Sequence, residues 1–132
     1  MYSALGYLSS ALLGLLILPA VLRIANKKLL KNDPNVKSVV RSLKKVHPLL
    51  GGLLAVIAIV HGYLALGGLR LHTGSLVYGA ILIAICFGGA FSAKKKKVFL
   101  TLHKSFVLLA LVMWSVHILF PSALYYLLQW IG

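Results

Sequence analysis

Four apolar runs, separated by short polar segments, set the pattern of this 132-residue chain. They cover roughly residues 3–24, 46–69, 73–93 and 98–119. Each is long enough to cross a hydrocarbon core, which takes about 20 helical residues. The pattern predicts an all-α membrane protein: a four-helix up-down-up-down transmembrane bundle with a short interfacial helix at its C-terminal end, read as one domain over 1–132. The first run has no basic n-region and no A-x-A cleavage site, so it is expected to stay as a helix rather than leave as a signal peptide. Gly6, Ser10 and Gly14 repeat every fourth residue along it, a small-residue ridge that allows close approach, and Pro19 is expected to kink its inner end.

Polar punctuation places the other boundaries. Asn32-Asp33-Pro34 reads as a helix start, with Asp33 as N-cap and Pro34 in the first helical position. Beyond it, Val36, Val39, Val40 and Leu43 form an apolar stripe opposed by Lys37, Arg41, Lys44 and Lys45, an amphipathic segment that lies on the membrane or extends the second span. Pro48 cannot donate to the carbonyl of Lys44, and a kinked but continuous helix is expected through it. Gly67-Gly68, Arg70 and His72 mark a turn. The third run is rich in small residues: Gly79, Ala80, Ala84, Gly88, Gly89 and Ala90. Lys94 to Lys97 form the next turn. Pro121 ends the fourth run, and Ser122 to Trp130 is expected to lie in the interface, anchored by Tyr125, Tyr126 and Trp130.

Composition agrees with the pattern. Hydrophobic residues make up 61% of the chain and the mean hydropathy is +0.97, well above the apolar share of soluble domains. Lys and Arg number 14 against a single acid, Asp33, for a net charge of +13. The cations sit in connectors without interleaved aromatics, which argues against nucleic-acid binding. All of them but Arg70 lie in or beside the two connectors that face the same side, so the positive-inside rule puts both termini outside. A multi-pass protein of a prokaryotic plasma membrane is the expected location. The single cysteine, Cys86, excludes a disulfide within the chain and reads as packing; with no C-x-x-C-H, covalent haem attachment is excluded as well.

The candidate chemistry lies in four histidines. His47 and His61 on the second span are 14 residues apart, and so are His103 and His117 on the fourth. That interval advances about 21 Å along a helix and returns within roughly 40° of the same face. In the predicted topology the second and fourth helices are parallel, which pairs His47 with His103 at the inner level and His61 with His117 at the outer. One buried histidine is usually a hydrogen-bonding core residue, but four at one spacing on two parallel helices favour a shared role, and polar groups in hydrocarbon tend to mark function. A zinc or copper site takes three or four ligands, whereas each level offers two imidazoles and no carboxylate. A haem iron brings four equatorial nitrogens and needs only two axial ligands.

Gly51 and Gly52 after His47, and Gly62 after His61, offer space for a flat macrocycle. Lys44, Lys45 and Lys104 are candidates for propionates at the inner level, with Arg70 or His72 at the outer; topology alone explains these cations equally well. His72 reads as a surface histidine, because nothing pairs with it by spacing. Leu54 and Ala110 lie midway between the ligands and Trp114 one turn further out, and core packing is the simpler account of all three.

The paired motifs His47-x13-His61 and His103-x13-His117 resemble the bis-histidine di-haem core of membrane b-type cytochromes, in particular the haem-bearing four-helix half of quinol-oxidising cytochrome b and the ferric-reductase-like transmembrane core. The resemblance covers nearly the whole chain but rests on four residues and a topology. It implies two non-covalent b haems with the four histidines as axial ligands, and electron transfer across the membrane as the activity. Filled axial positions leave the iron to carry electrons rather than bind substrate. The chain has no nucleotide, flavin or iron–sulfur motif, and the helices that carry quinol chemistry in the first relative are missing. A haem-bearing subunit or relay is therefore expected rather than a self-contained oxidoreductase. Its donor and acceptor would be redox partner proteins, an acidic one or anionic membrane lipid on the basic face, or a quinone for which no residue marks a pocket. Small-residue faces leave homo- or hetero-oligomers open. Two other readings remain: a haem-free structural or assembly subunit whose histidines bond between helices, and a small metal transporter, which the lack of carboxylates and of a second thiol disfavours.

Overall fold

Proline, glycine and one acidic cap divide the chain into helices much where the polar punctuation falls. The computed structural model describes residues 2–68 and 71–131, with the side chains among them apart from those of residues 125, 128 and 131. Helices α1 (Tyr2–Lys28), α2 (Pro34–Leu66), α3 (Thr73–Lys94), α4 (Lys97–Leu119) and α5 (Ala123–Ile131) follow in order, and no strand occurs among the described residues. The first four are long and apolar enough to cross a membrane, as a multi-pass membrane protein requires. Arg70 and the end of the expected second span at Leu69 fall outside the described residues.

α1 runs one turn past the expected Ile24, to Lys28. The extension is held by partners that lie beyond it: Leu29 N–H donates to the Ala25 carbonyl at 2.7 Å and Asn32 N–H to the Asn26 carbonyl at 3.0 Å. Lys31 (φ 46°) and Asn32 (φ 65°) take left-handed backbone to close this turn, a conformation that Asn tolerates better than most residues.

α2 begins at Pro34 as the sequence indicates, and Asp33 Oδ1 accepts the Asn35 N–H at 2.6 Å, filling one donor that the first turn leaves open. Replacing Asp33 with alanine is expected to cost about 0.5–2 kcal/mol, whereas asparagine should keep most of the cap. Thermal unfolding in detergent followed by circular dichroism checks this, and an unchanged midpoint in Asp33→Ala would show the cap to be idle. The helix passes through Pro48 without a break, so His47 and His61 stand on one continuous helix. It ends in a Schellman turn: Gly67 has φ 65°, and Gly68 N–H reaches the Tyr63 carbonyl at 3.2 Å.

The expected division of the first α2 turns holds at every position but Val39: Val36, Val40 and Leu43 are buried or half-buried, and Lys37, Arg41, Lys44 and Lys45 are exposed. Val40 is buried, Val39 is exposed, and Val40 lines one cleft with Lys37, Arg41 and Lys44. Residues 37, 40, 41 and 44 are spaced three and four apart, so they form a single helical stripe.

Two compact bodies are distinguished, Ser3–Ala58 and Ile59–Gly132, with Tyr2 belonging to the second. In the first, the buried apolar residues are Leu12, Leu13 and Pro19 of α1 and Val40 and Leu54 of α2. In the second, Val77, Ala80, Ile81 and Ala84 form one buried stripe of α3, and Ala110 is the buried residue of α4. Leu54 (2% exposed) and Ala110 (1%) are the most deeply buried of the core residues, and each is the midpoint of its histidine pair. Large apolar side chains elsewhere on the helices, such as Leu49, Val56 and Leu108, are exposed, as suits helices whose solvent is lipid.

α3 and α4 form an antiparallel hairpin. Lys95, in left-handed backbone (φ 54°), stops α3 with its N–H on the Phe91 carbonyl at 2.9 Å. Phe87 stacks on Phe99 and Phe106 at centroid distances of 6.4 and 5.7 Å, and Lys94 Nζ lies 5.8 Å from the Phe99 ring centre, which closes this end of the hairpin. At the other end Phe120 leaves helical geometry before Pro121 and the separate helix α5, on which Tyr126 and Trp130 are exposed.

Candidate histidine site

Three of the four paired histidines present the same ring nitrogen to a fixed partner. His103 Nδ1 lies 2.8 Å from the Ala84 carbonyl of α3, and His61 Nδ1 lies 2.8 Å from the Tyr2 carbonyl. A carbonyl only accepts, so in each ring Nδ1 carries the proton and Nε2 the lone pair. His117 Nδ1 lies 2.9 Å from Thr73 Oγ1, and that hydroxyl is 2.7 Å from the Pro121 carbonyl. Thr73 has one proton to give and gives it to Pro121. Its oxygen therefore accepts from His117, and the lone pair again falls on Nε2. Metal-bound imidazoles have this arrangement, in which the outer N–H is held by a carbonyl or another oxygen and the other nitrogen is the donor atom.

α3 supplies the backing for both rings of α4. A Cβ placed on Gly74 would meet His117 Cε1 at 3.1 Å, and one on Gly88 would meet His103 Nδ1 at 3.1 Å. These two glycines are 14 residues apart, the interval that separates the two histidines, and in an antiparallel hairpin they fall opposite them in turn. The sequence carried this signal in Gly74-x13-Gly88. Thr73 could not have been picked out, because its partnership with His117 depends on the register of α3 against α4.

His72 is not the surface histidine that its spacing suggested. It is half-buried as the N-cap of α3, where its Nδ1 accepts the Gly74 N–H and Ser75 Oγ closes a capping box with its backbone. Its ring meets His117 edge-on, with centroids 5.8 Å apart at 89°. His61, the other member of the expected outer pair, lies in the same body as His117. Among the described residues no three His, Cys, Asp or Glu converge on a metal ion; a centre that draws only two ligands from the protein does not require them.

His47 is half-buried on α2 in the first body, and Lys45 and Lys104 are exposed. Lys44 lines the cleft of the first body with Arg23. Gly51 and Gly62 are half-buried, and a Cβ on Gly62 would enter open space.

Thr73→Val keeps the shape of a buried side chain but removes the oxygen that holds His117 and the proton that satisfies Pro121. The loss should destabilise the chain by about 1–3 kcal/mol, read as a lower unfolding midpoint in detergent; equal midpoints would show that the contact carries no load. Compared with protein-family models, curated proteins and solved structures, the chain matches none.

Proposed function

We propose that this chain is a small membrane cytochrome of the b type, or the haem-bearing subunit of a redox complex, that passes electrons across the membrane. The observation that carries the reading is the shared tautomer: His61, His103 and His117 all commit Nδ1 to an oxygen acceptor and keep the lone pair on Nε2. Imidazoles serving only as polar links between helices need no common choice of nitrogen. Glycines at the ring positions of α3 and open space beside Gly62 fit the same role. Haem bound through two imidazoles supplies one-electron iron chemistry with both axial positions filled. His61 and His117 form one proposed ligand pair, and the spacing in the sequence assigns His47 and His103 to the other. Thr73 and the carbonyls of Ala84 and Tyr2 orient the rings and raise their basicity.

The membrane topology proposed with this reading is an up-down-up-down bundle with both termini outside, supported by the segregation of every cation but Arg70. Electrons would come from and go to redox partner proteins or a quinone. A second reading, a haem-free structural subunit, is favoured by the interhelical bonds themselves, since His103 to Ala84 and His117 to Thr73 already join α4 to α3. A reduced-minus-oxidised difference spectrum of the purified chain, with haem quantified per polypeptide, separates the two: a b-type band supports the first and its absence leaves the second.

A further inference from the structure

The first body holds a cleft of about 240 Å³ lined by Arg23 and Asn26 of α1 and Lys37, Val40, Arg41 and Lys44 of α2. Four of its six lining residues are cations, and none is an acid. The chain's single carboxylate, Asp33, is bound to the Asn35 N–H at the head of α2. Lys44, ahead of the apolar run of α2, has its ammonium held below the ordinary lysine range, first by loss of solvent and then by the charge of Arg23. Four exposed cations therefore line one open cleft, and no acidic side chain is among its described lining residues, an arrangement that attracts an anion.

The floor of the cleft is also built. Asn26 is only 4% exposed and is fixed by Nδ2–H donation to the Asp33 carbonyl at 3.0 Å, while its Oδ1 has no hydrogen-bond partner among the described residues. A buried amide oxygen left in this way calls for a donor. Topology accounts for basic connectors, but not for four cations lining one cleft with a buried amide.

We infer that this cleft binds a phosphate group, its oxygens met by Arg23, Lys37, Arg41 and Lys44. Guanidinium forks match phosphate oxygens two at a time, and basic pockets beside membrane helices suit anionic headgroups. The phosphate belongs either to a lipid or to a free anion. The site is independent of the histidines and of haem.

The test uses the full chain in nanodiscs of phosphatidylcholine with phosphatidylglycerol. Lipid retained after extraction is counted by mass spectrometry, and inorganic phosphate is titrated calorimetrically in discs of phosphatidylcholine alone. Arg23→Gln/Arg41→Gln removes two cleft cations; Lys27→Gln/Lys28→Gln removes the same charge from exposed positions outside it. Wild type and the second variant should enrich phosphatidylglycerol over the bulk by roughly ten- to thirty-fold, and the first should fall to the bulk ratio. Saturable binding of inorganic phosphate that is lost with the cleft arginines, without lipid enrichment, supports the site and identifies the free anion as its ligand. If neither probe distinguishes the variants, or both variants lose binding equally, the inference is overturned. Lys37→Gln/Lys44→Gln serves as the cleft variant should the arginine pair prevent folding.

Discussion

Purified in detergent with haem supplied during expression, the chain is expected to show a b-type difference band and to carry two haems per polypeptide. His61→Ala and His117→Ala should each lower the content to one, and the double variant should lose no more than either single change. Such non-additivity follows when two side chains act as one unit. His103→Ala should remove the other haem, together with His47→Ala. His72→Ala is the informative control: its ring touches His117, but its Nδ1 serves as the α3 N-cap. The change should cost helix stability of about 1 kcal/mol and leave two haems in place. A chain with no b-type band sinks the electron-transfer reading. One haem per chain would show that one pair is idle, and two haems surviving His61→Ala would show the pairing to be wrong.

The helices were legible because the physics that sets them is local. Run length, the Asp33-Pro34 start and the Pro121 stop act within a few residues, and the structure agrees with each. The additional turn of α1 was not legible, because it is held by the connector folding back on Ala25 and Asn26. The repeated 14-residue interval found the histidines but not what holds them. Thr73, the Ala84 carbonyl and the Pro121 carbonyl become partners only once α3 and α4 are in register. The place of His72 is hidden for a similar reason: histidine is not among the favoured N-caps, and spacing alone gives no hint that a ring nitrogen will take that place. Gly74 and Gly88 could have been found. Small residues at the ligand interval on the next helix are what close packing against two imidazoles needs, and in an antiparallel pair the first glycine meets the second histidine.

Those glycines carry the sharpest test of the α3–α4 packing, because neighbouring positions predict opposite signs. Alanine is a better helix former than glycine by about 1 kcal/mol, so Gly79→Ala and Gly89→Ala, whose new Cβ would enter open space, should be neutral or stabilising by up to that amount. At Gly88 the same methyl would lie 3.1 Å from His103 Nδ1. That ring is held at 2.8 Å to the Ala84 carbonyl, so it can yield only by lengthening the bond that orients it. Gly88→Ala should therefore forfeit the propensity gain. Gly88→Leu should overpack the interface and cost about 1–3 kcal/mol, along with the haem assigned to His103. Gly74→Leu should act likewise on His117. Gly89→Leu, one residue on but turned by about 100°, should change neither unfolding midpoint nor haem content appreciably. Equal behaviour of Gly88→Leu and Gly89→Leu would mean that α3 does not back the histidines of α4, and the orienting role given to the Ala84 carbonyl would fall with it.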